Sequence, residues 1–494
     1  MIVEVACIFL ALFGLFYSWS RYKHSYWKRK GVRSLPTHWL FGNFKDAIYL
    51  KTSPGLALGD LHNQTLPEDD LLGVYIFQKP FLLIRSPEIM KHILVRDFNN
   101  FKDRYFTINN KNDLVGSTNL FAIHNPEWKY LRMKMSPVFS SGKVKKLLNL
   151  MLENADTLEK HLEEKLSDGK MKPIIIKDTF RKFTTDVISS IAFGIKTNSF
   201  SDPEPNFYTY SQAPFTQSTW QAILFFTFFF FPNLGSYFNR GMLGSSTEYF
   251  RNLFKDSMEN HEKFGVKRGD LIDYLVELKN DKQEADFKFE GDVLLAQSTI
   301  FFVAGLESST STICFALCEL AKNPKIQDKV REEIQETIEN KGLNYESIQE
   351  MKYLLQTIKE TLRLYPVAPL LDRVAADDYK IPGKDVVIEK GTPVYVALAG
   401  IHMDPRYFPN PEKFDPNRFS DTNHLDSCTY LPFGEGPRSC IGARVGTLQT
   451  AVGILTIIRK YEVSMDFHNE EISDARSIFL APPDNYTLIF KKLE

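Results

Sequence analysis

The sequence predicts a mainly α-helical protein with small β-sheets, an α+β fold made as one large domain behind an N-terminal apolar helix. Three observations predict it. Long stretches carry the 3.6-residue apolar period of helices, at 149–166, 176–193, 291–321 and 443–460. Strand-like runs are few and short, such as 81–84 and 370–374. No linker, repeat or low-complexity break divides the chain after its N-terminus, although 494 residues would by length alone suggest about three domains. The predicted organisation is an anchor at 1–20, a basic linker at 21–34 and a single domain over 35–494.

Composition narrows the function classes. Hydrophobic residues at 43% and charged residues at 24% fit a globular chain with a large core, and a net charge of −1 gives no electrostatic reason for nucleic acid to bind. Five cysteines (Cys7, Cys314, Cys318, Cys428, Cys440) are too few and too scattered for a disulfide framework, which points to a reducing compartment. Forty phenylalanines suit an apolar ligand or a lipid surface.

In chain order, residues 2–19 form an apolar run broken only by Glu4, long enough to span a bilayer. Arg21, Lys23, Lys28, Arg29, Lys30 and Arg33 follow without an acid, so the positive-inside rule leaves the rest of the chain cytosolic. A cleaved signal peptide would have basic residues before the run and a small-residue site after it; neither is present, so a retained anchor is expected. Ser86-Pro87 opens a helix over 87–95, and 101–124 is polar and irregular. A helix begins at Glu127, placing Trp128 and Arg132 on one face four residues apart. Lys129, Lys134, Lys143, Lys145 and Lys146 make this region basic. The run Phe225-Phe226-Thr227-Phe228-Phe229-Phe230-Phe231 is too short for a second span and is ended by Pro232, so an element lying in the lipid interface is expected.

The long stretch 291–321 carries Ala304-Gly305-Leu306-Glu307-Ser308. A mid-helix glycine costs about 1 kcal/mol relative to alanine, and the close approach of a flat cofactor would be one reason for Gly305. Cys314 and Cys318, one turn apart, read as packing residues, since no third soft ligand is in view. A helix ends at Leu364-Tyr365-Pro366, with Glu360 and Arg363 sharing a face. Finally, Phe433-Gly434-Glu435-Gly436-Pro437-Arg438-Ser439-Cys440-Ile441-Gly442 puts a cysteine on a Gly-rich loop before a helix N-terminus, where N–H groups and the dipole favour a thiolate. Phe433 would cover the sulfur, Gly442 would leave room for a flat group, and Arg438 offers a charge for a carboxylate. A haem with an axial thiolate and propionates meets these demands. A zinc site at His424, Cys428 and Cys440 has no fourth ligand and no supporting spacing.

The pattern Phe-x-x-Gly-x-Arg-x-Cys-x-Gly at 433–442 resembles the haem-binding signature of the cytochrome P450 superfamily. The likeness extends through Trp128 and Arg132, the 304–309 segment, Glu360 and Arg363, and the segment containing Arg418. Residues 26–32 and 183–188 resemble insect microsomal members, the family that oxidises plant toxins, insecticides and some endogenous lipids. The resemblance implies the P450 fold and a haem b whose iron Cys440 ligates. It implies propionate contacts from Arg438, Trp128, Arg132 and Arg373, and a bracing network of Glu360, Arg363 and Arg418 behind the loop. Glu307 and Ser308 would deliver protons for oxygen activation, with serine standing where the family pattern has threonine. The pocket would include Phe301, Ala304, Val367, Leu371 and Phe479, with a C-terminal hairpin around 477–482 closing it. Implied partners are an NADPH–cytochrome P450 reductase docking on the basic surface, cytochrome b5, endoplasmic reticulum lipid and a lipophilic substrate. Two other readings are a haem-thiolate isomerase or dehydratase and a non-enzymatic haem or lipophile binder; neither needs Glu307 and Ser308.

Overall fold

Helices dominate the chain, and most end where the sequence gives a reason. In the computed structural model, which describes residues 1–108, 112–202, 206–215, 218–237, 241–265, 269–281, 287–421, 428–466 and 473–493, the central helix Gly291–Lys322 stops at Asn323 because Pro324 follows. Lys352–Leu364 stops ahead of Tyr365-Pro366 for the same reason. Ile176–Ala192 and Ala443–Ile458 match their apolar periods within two residues. Ser141–Lys165 starts well before the predicted 149, since Val144, Leu147 and Leu148 already face the core between the exposed lysines.

Among the described residues the strands are short: β1 Leu71–Ile76, β2 Lys79–Ile84, β3 Lys172–Ile175, β4 Leu370–Val374, β5 Tyr379–Lys380, β6 Val387–Ile388, β7 Pro393–Ala397, β8 Tyr461–Met465 and β9 Thr487–Lys492. They form sheets in the orders β1-β2-β7-β4, β3-β9-β8 and β5-β6. In the first, the β1–β2 hairpin pairs in parallel with β7, and antiparallel β4 sets Asp372 opposite Tyr395 and Arg373 opposite Val394.

The helix Ile2–Lys23 is apolar and outside the core, and at about 33 Å, from 1.5 Å per residue, it is long enough to cross a bilayer. Phe13 and Phe16 meet Trp39 at ring distances of 5.3 and 5.9 Å, which joins this helix to the domain. Gly291–Lys322 is also long and apolar, but it is the buried centre of the fold.

Two expectations are corrected. Gly305 does not face a cofactor: a Cβ there would lie 2.7 Å from Ile188 Cδ1, so the glycine lets the central helix approach Ile176–Ala192. The phenylalanine run is mostly core. In the helix Thr219–Phe230, Leu224, Phe228, Phe229 and Phe230 are buried, and the Phe230 ring packs on Phe44, Phe81 and Tyr395. Only its start, at Trp220 and Ile223, is exposed.

A buried ionic frame ties the helices to the loops. Arg363 donates to both Glu360 oxygens at 2.8 and 2.9 Å, and to the carbonyls of His402 and Pro411. Glu360 also accepts from Arg418 at 3.3 Å and from the Asp415 N–H at 2.9 Å. Both Glu360 and Arg363 are fully buried, and their donors and acceptors are widely matched, which an internal ion pair requires.

His402 carries the frame onward, its Nε2 accepting the Leu431 N–H at 3.0 Å just before the cysteine loop. Burial first, then the nearby Arg363 charge, pushes this imidazole from 6.5 down to about 3. The unfolded chain therefore binds more protons than the folded one between those values, and stability falls as pH drops through that window, by at most about 1.4 kcal/mol per pH unit. Above pH 6.5 the group contributes no slope. Urea unfolding between pH 6.5 and 4 should show this loss, and His402→Asn should flatten it.

Candidate active site

The cysteine loop is shaped by its own backbone. The Cys440 N–H donates to the Phe433 carbonyl at 2.8 Å, and Ser439 N–H to that of Gly436 at 3.0 Å. Gly436 has φ +73°, and a Cβ there would meet the Leu94 carbonyl oxygen at 2.0 Å, so no other residue fits. Gly442 is the N-cap of Ala443–Ile458, and a Cβ on it would touch only Phe139, at 3.7 Å. Phe433 is half-buried beside the loop. Cys440 lies deep in the protein, yet its surface is open to a water-sized probe, so the residue faces an interior space.

Burial acts against the thiolate that the helix end favours. It pushes the thiol above its ordinary value, outweighing the Gly442 N–H and the Arg132 charge that pull it down. The helix end alone therefore does not make a thiolate. A bound cation would, because coordination deprotonates a thiol outright.

Around this loop the fold gathers four guanidiniums and two carboxylates. Arg438, nearly buried, donates to the carbonyls of Lys102 and Ile123 and to Asp103 at 3.0 Å, with its guanidinium carbon 4.0 Å from the Trp128 ring centre. Trp128 thus braces Arg438 from one face. Arg132 donates to the Ser439 carbonyl at 3.0 Å. Arg104 donates to Asp372 at 3.1 Å and lies over Phe121. Arg373 donates to the Asp372 carbonyl at 2.7 Å, while its buried Nε has no partner. Burial, then repulsion from neighbouring arginines, pushes Arg373 and Arg438 down to about 9. A guanidinium keeps its proton in proteins, so these charges persist despite burial and mutual repulsion. Four cations against Asp103 and Asp372 leave two positive charges uncompensated.

Across the interior, Ala304 is exposed on the otherwise buried central helix, and Phe301 stacks edge-on to Phe139 at 5.0 Å. The Ser308 hydroxyl donates to the Ala304 carbonyl. Glu307 turns the other way, 3.4 Å from Arg181 and 3.8 Å from fully buried Lys177, both of which also pair with Asp484. Leu371 comes within 3.7 Å of where a Gly434 Cβ would stand. The Leu480 N–H donates to the Val367 carbonyl at 2.9 Å, and Phe479 meets Phe229 at 5.8 Å. Cys314 and Cys318 are both buried in the helix core. His424 lies outside the described residues.

The family model for cytochrome P450 matches residues 32–490. The chain belongs to the cytochrome P450 family. It is 40% identical over 464 residues to cytochrome P450 6k1 of Blattella germanica, covering 89% of this chain and 87% of the relative. Probable cytochrome P450 6g2 of Drosophila melanogaster is 37% identical over 474 residues, covering 92% and 91%, and cytochrome P450 6j1 of Blattella germanica is 36% identical over 472 residues, covering 94% and 92%. These relatives are insect members of P450 family 6, and this chain is likewise a P450 enzyme.

Membership implies a haem held by a cysteine thiolate, and the residues gathered here fit it. The group carries a cation to meet the inward-facing thiol and two carboxylates to meet two uncompensated positive charges. Arg104 was not found by sequence reasoning. It sits in the irregular 101–108 stretch and shows no spacing with Arg438 or Arg373; only the fold brings it to Asp372. Lys177 and Arg181 did leave a signal, since cations one turn apart interrupt the apolar face of a buried helix.

Among the sequence-predicted basic residues, Lys134 and Lys145 are tied to Asp281 and Glu346, while Lys129 and Lys146 are exposed. Removing Arg104 should weaken the hold on haem. Arg104→Ala is expected to raise the rate of haem transfer to an excess of apomyoglobin by about tenfold or more, the worth of one charge-assisted hydrogen bond; Arg104→Lys should fall between.

Proposed function

We propose that this P450 inserts one oxygen atom from O2 into a lipophilic small molecule, such as a plant toxin, an insecticide or an endogenous lipid, with electrons from NADPH passed by a flavoprotein reductase. The observation that carries the reading is the pairing of Glu307 and Ser308 on the central helix, beside the inward-open Ala304. A haem-thiolate isomerase or a lipophile binder would have no use for a carboxylate and a hydroxyl at adjacent positions there.

When bound, a haem would supply oxygen activation, which a thiolate ligand favours by donating electron density. Cys440 would supply that thiolate from its place in the interior. Arg104, Arg132, Arg373 and Arg438 orient the propionates, with Trp128 bracing Arg438. Glu360, Arg363 and Arg418 act at a distance by fixing the loop through His402 and Leu431. Ser308 holds its proton at Oγ toward the Ala304 carbonyl, and Glu307 holds its carboxylate beside Lys177 and Arg181. Phe301, Ala304, Val367, Leu371 and Phe479 border the substrate space and exclude water from it.

The apolar helix Ile2–Lys23 and the basic residues after it support an endoplasmic reticulum address with the domain in the cytosol. Exposed Lys129 and Lys146 support a docking face for the reductase and for cytochrome b5, both acidic donors in this reading.

Two measurements test the proposal. The reduced, CO-bound protein should show a strongly red-shifted Soret band that is lost in Cys440→Ser; a band that is absent, or that survives the substitution, rejects the thiolate. Serine lacks the β-methyl that restricts χ1, so Ser308→Thr should lower peroxide released per NADPH consumed in the reductase-coupled enzyme. Equal peroxide yields from the two proteins would remove Ser308 from proton delivery.

A further inference from the structure

Away from the haem site, one buried histidine nitrogen is left without a hydrogen bond. His261 lies in the last turn of the helix Thr247–Phe264, and its side chain is only 8% exposed. Its ring Nδ1 stands 2.9 Å from the Ser257 carbonyl, one turn back. A carbonyl only accepts, so Nδ1 carries the proton and a neutral ring leaves Nε2 with a bare lone pair. That Nε2 is buried and has no hydrogen-bond partner, yet it points at two carboxylates. Asp270 Oδ2 and Asp273 Oδ1 each lie 3.8 Å from it, and the three atoms fall within 4.8 Å of one another.

Backbone groups hold the carboxylates in that pose. Asp270 is the N-cap of the helix Leu271–Asn280, its Oδ1 accepting the Asp273 N–H at 3.1 Å. Asp273 Oδ2 accepts the Gly269 N–H at 2.6 Å. Each acid therefore turns its second oxygen to the imidazole. Gly194 closes the cluster from behind, since a Cβ there would lie 2.9 Å from His261 Cε1 and 3.1 Å from Asp270 Oδ2. In front is a cleft of about 450 Å³ whose walls include His261, Asp273, Glu262 and Glu277, so an ion has a way in.

Distance decides what belongs between these groups. A hydrogen bond from a doubly protonated ring would bring N and O to about 2.7–3.2 Å. Two ligands on a tetrahedral ion, with bonds of about 2.1 Å, stand about 3.4 Å apart. The observed 3.8 Å is nearer the second. An Nδ1–H bond to a carbonyl is also what orients a metal-bound imidazole. A nitrogen beside two carboxylate oxygens suits zinc better than magnesium or calcium, which take oxygen ligands.

We propose that His261, Asp270 and Asp273 form a site for a divalent, zinc-like cation, with water completing its coordination. The ion would clip the last turn of Thr247–Phe264 to the first turn of Leu271–Asn280. Both turns meet the chain just after Ile176–Ala192, where Ser257 donates to the Phe193 carbonyl at 2.6 Å and Gly194 faces Asp270. Its role is to stabilise this corner, and it does not depend on the monooxygenase reading.

The test uses full-length, haem-loaded enzyme treated with EDTA, which leaves haem iron in place, and then dialysed. Zinc sulfate is titrated in, with affinity read by calorimetry and bound metal per haem by mass spectrometry. The native enzyme should hold one zinc per haem, and zinc should raise its melting temperature, because an ion bound only by the folded chain stabilises it. Magnesium at the same concentration should do neither. His261→Gln and Asp273→Asn should each weaken zinc binding by about a hundredfold or more, beyond the loss from an outer-shell partner, and remove the thermal shift. Asp270→Asn, which keeps the capping oxygen, should behave alike. The reduced-CO band shows that each variant is folded and loaded. No tight zinc binding by the native enzyme overturns the site and leaves His261 as a charged partner of two aspartates. Zinc retained in all three variants is adventitious and overturns it too, and equal binding of magnesium overturns the nitrogen ligation. A normal CO band without zinc binding defeats this inference alone, whereas an absent band in the native enzyme defeats the haem-thiolate reading and leaves zinc per chain to decide this one.

Discussion

Two uncompensated positive charges in the interior are the constraint around which this fold is arranged. Each of the four arginines comes from a different element: Arg104 from the 101–108 stretch, Arg132 from the helix Glu127–Met135, Arg373 from β4 and Arg438 from the cysteine loop. No one of these elements could bury its cation alone. Asp372 and Asp103 hold the four together, the former reaching Arg104 and the Phe106 N–H, the latter reaching Arg438 and the Asn125 N–H. The Glu360–Arg363–Arg418 frame then resists the mutual repulsion by fixing the loop that carries Arg438. In that frame the buried Arg363–Glu360 pair has its donors and acceptors taken up, whereas in the cluster in front of it Arg373 keeps a buried Nε without a partner. The difference separates a structural ion pair from a site awaiting a ligand.

Burial works in the same direction on groups of opposite sign. It raises the Cys440 thiol and lowers Arg373 and Arg438. The arginines keep a charge that their surroundings do not favour, and the thiol stays neutral until a cation meets it. The complementary ligand is read from the signs: a cation facing the thiol and carboxylates facing the arginines. Haem supplies both together, and the family match agrees with that reading.

How much of this was legible in the sequence depended on whether the determining contacts were local. The cysteine loop was legible because its glycines, arginine and cysteine act within ten residues, and the helix ends were legible because proline acts on its neighbour. Glu360 and Arg363 are one helical turn apart, so their pairing was visible, though their burial was not. Arg104 was hidden because its partner Asp372 lies 268 residues away. Gly305 was misread because a glycine signals a close approach without saying to what, and a neighbouring helix meets it instead of a cofactor. The phenylalanine run was misread because core and lipid select the same residues. For Cys440 the helix end that favours a thiolate is written in the sequence, while the depth that opposes it, and that a bound cation would offset, is set by the whole fold.

Glu307 and Ser308 show how adjacent residues can serve one path from different sides. Consecutive helical positions are about 100° apart, and the two side chains diverge accordingly, the serine toward the Ala304 carbonyl and the glutamate toward Ile176–Ala192. In the proposed reading a proton must pass between them, so Glu307 has to loosen its hold on its cations. The distances permit that. Its contacts at 3.4 and 3.8 Å are longer than the 2.7–2.9 Å of strong charge-assisted hydrogen bonds. Asp484 holds the same cations more closely, at 2.9 Å to Lys177 and 3.2 Å to Arg181, and is itself largely exposed. When Glu307 turns away, Asp484 stays against both cations, one carboxylate then serving two positive charges. The carboxylate nearest the chemistry is therefore the one most loosely tied, and the one at the surface stabilises the cations it leaves behind.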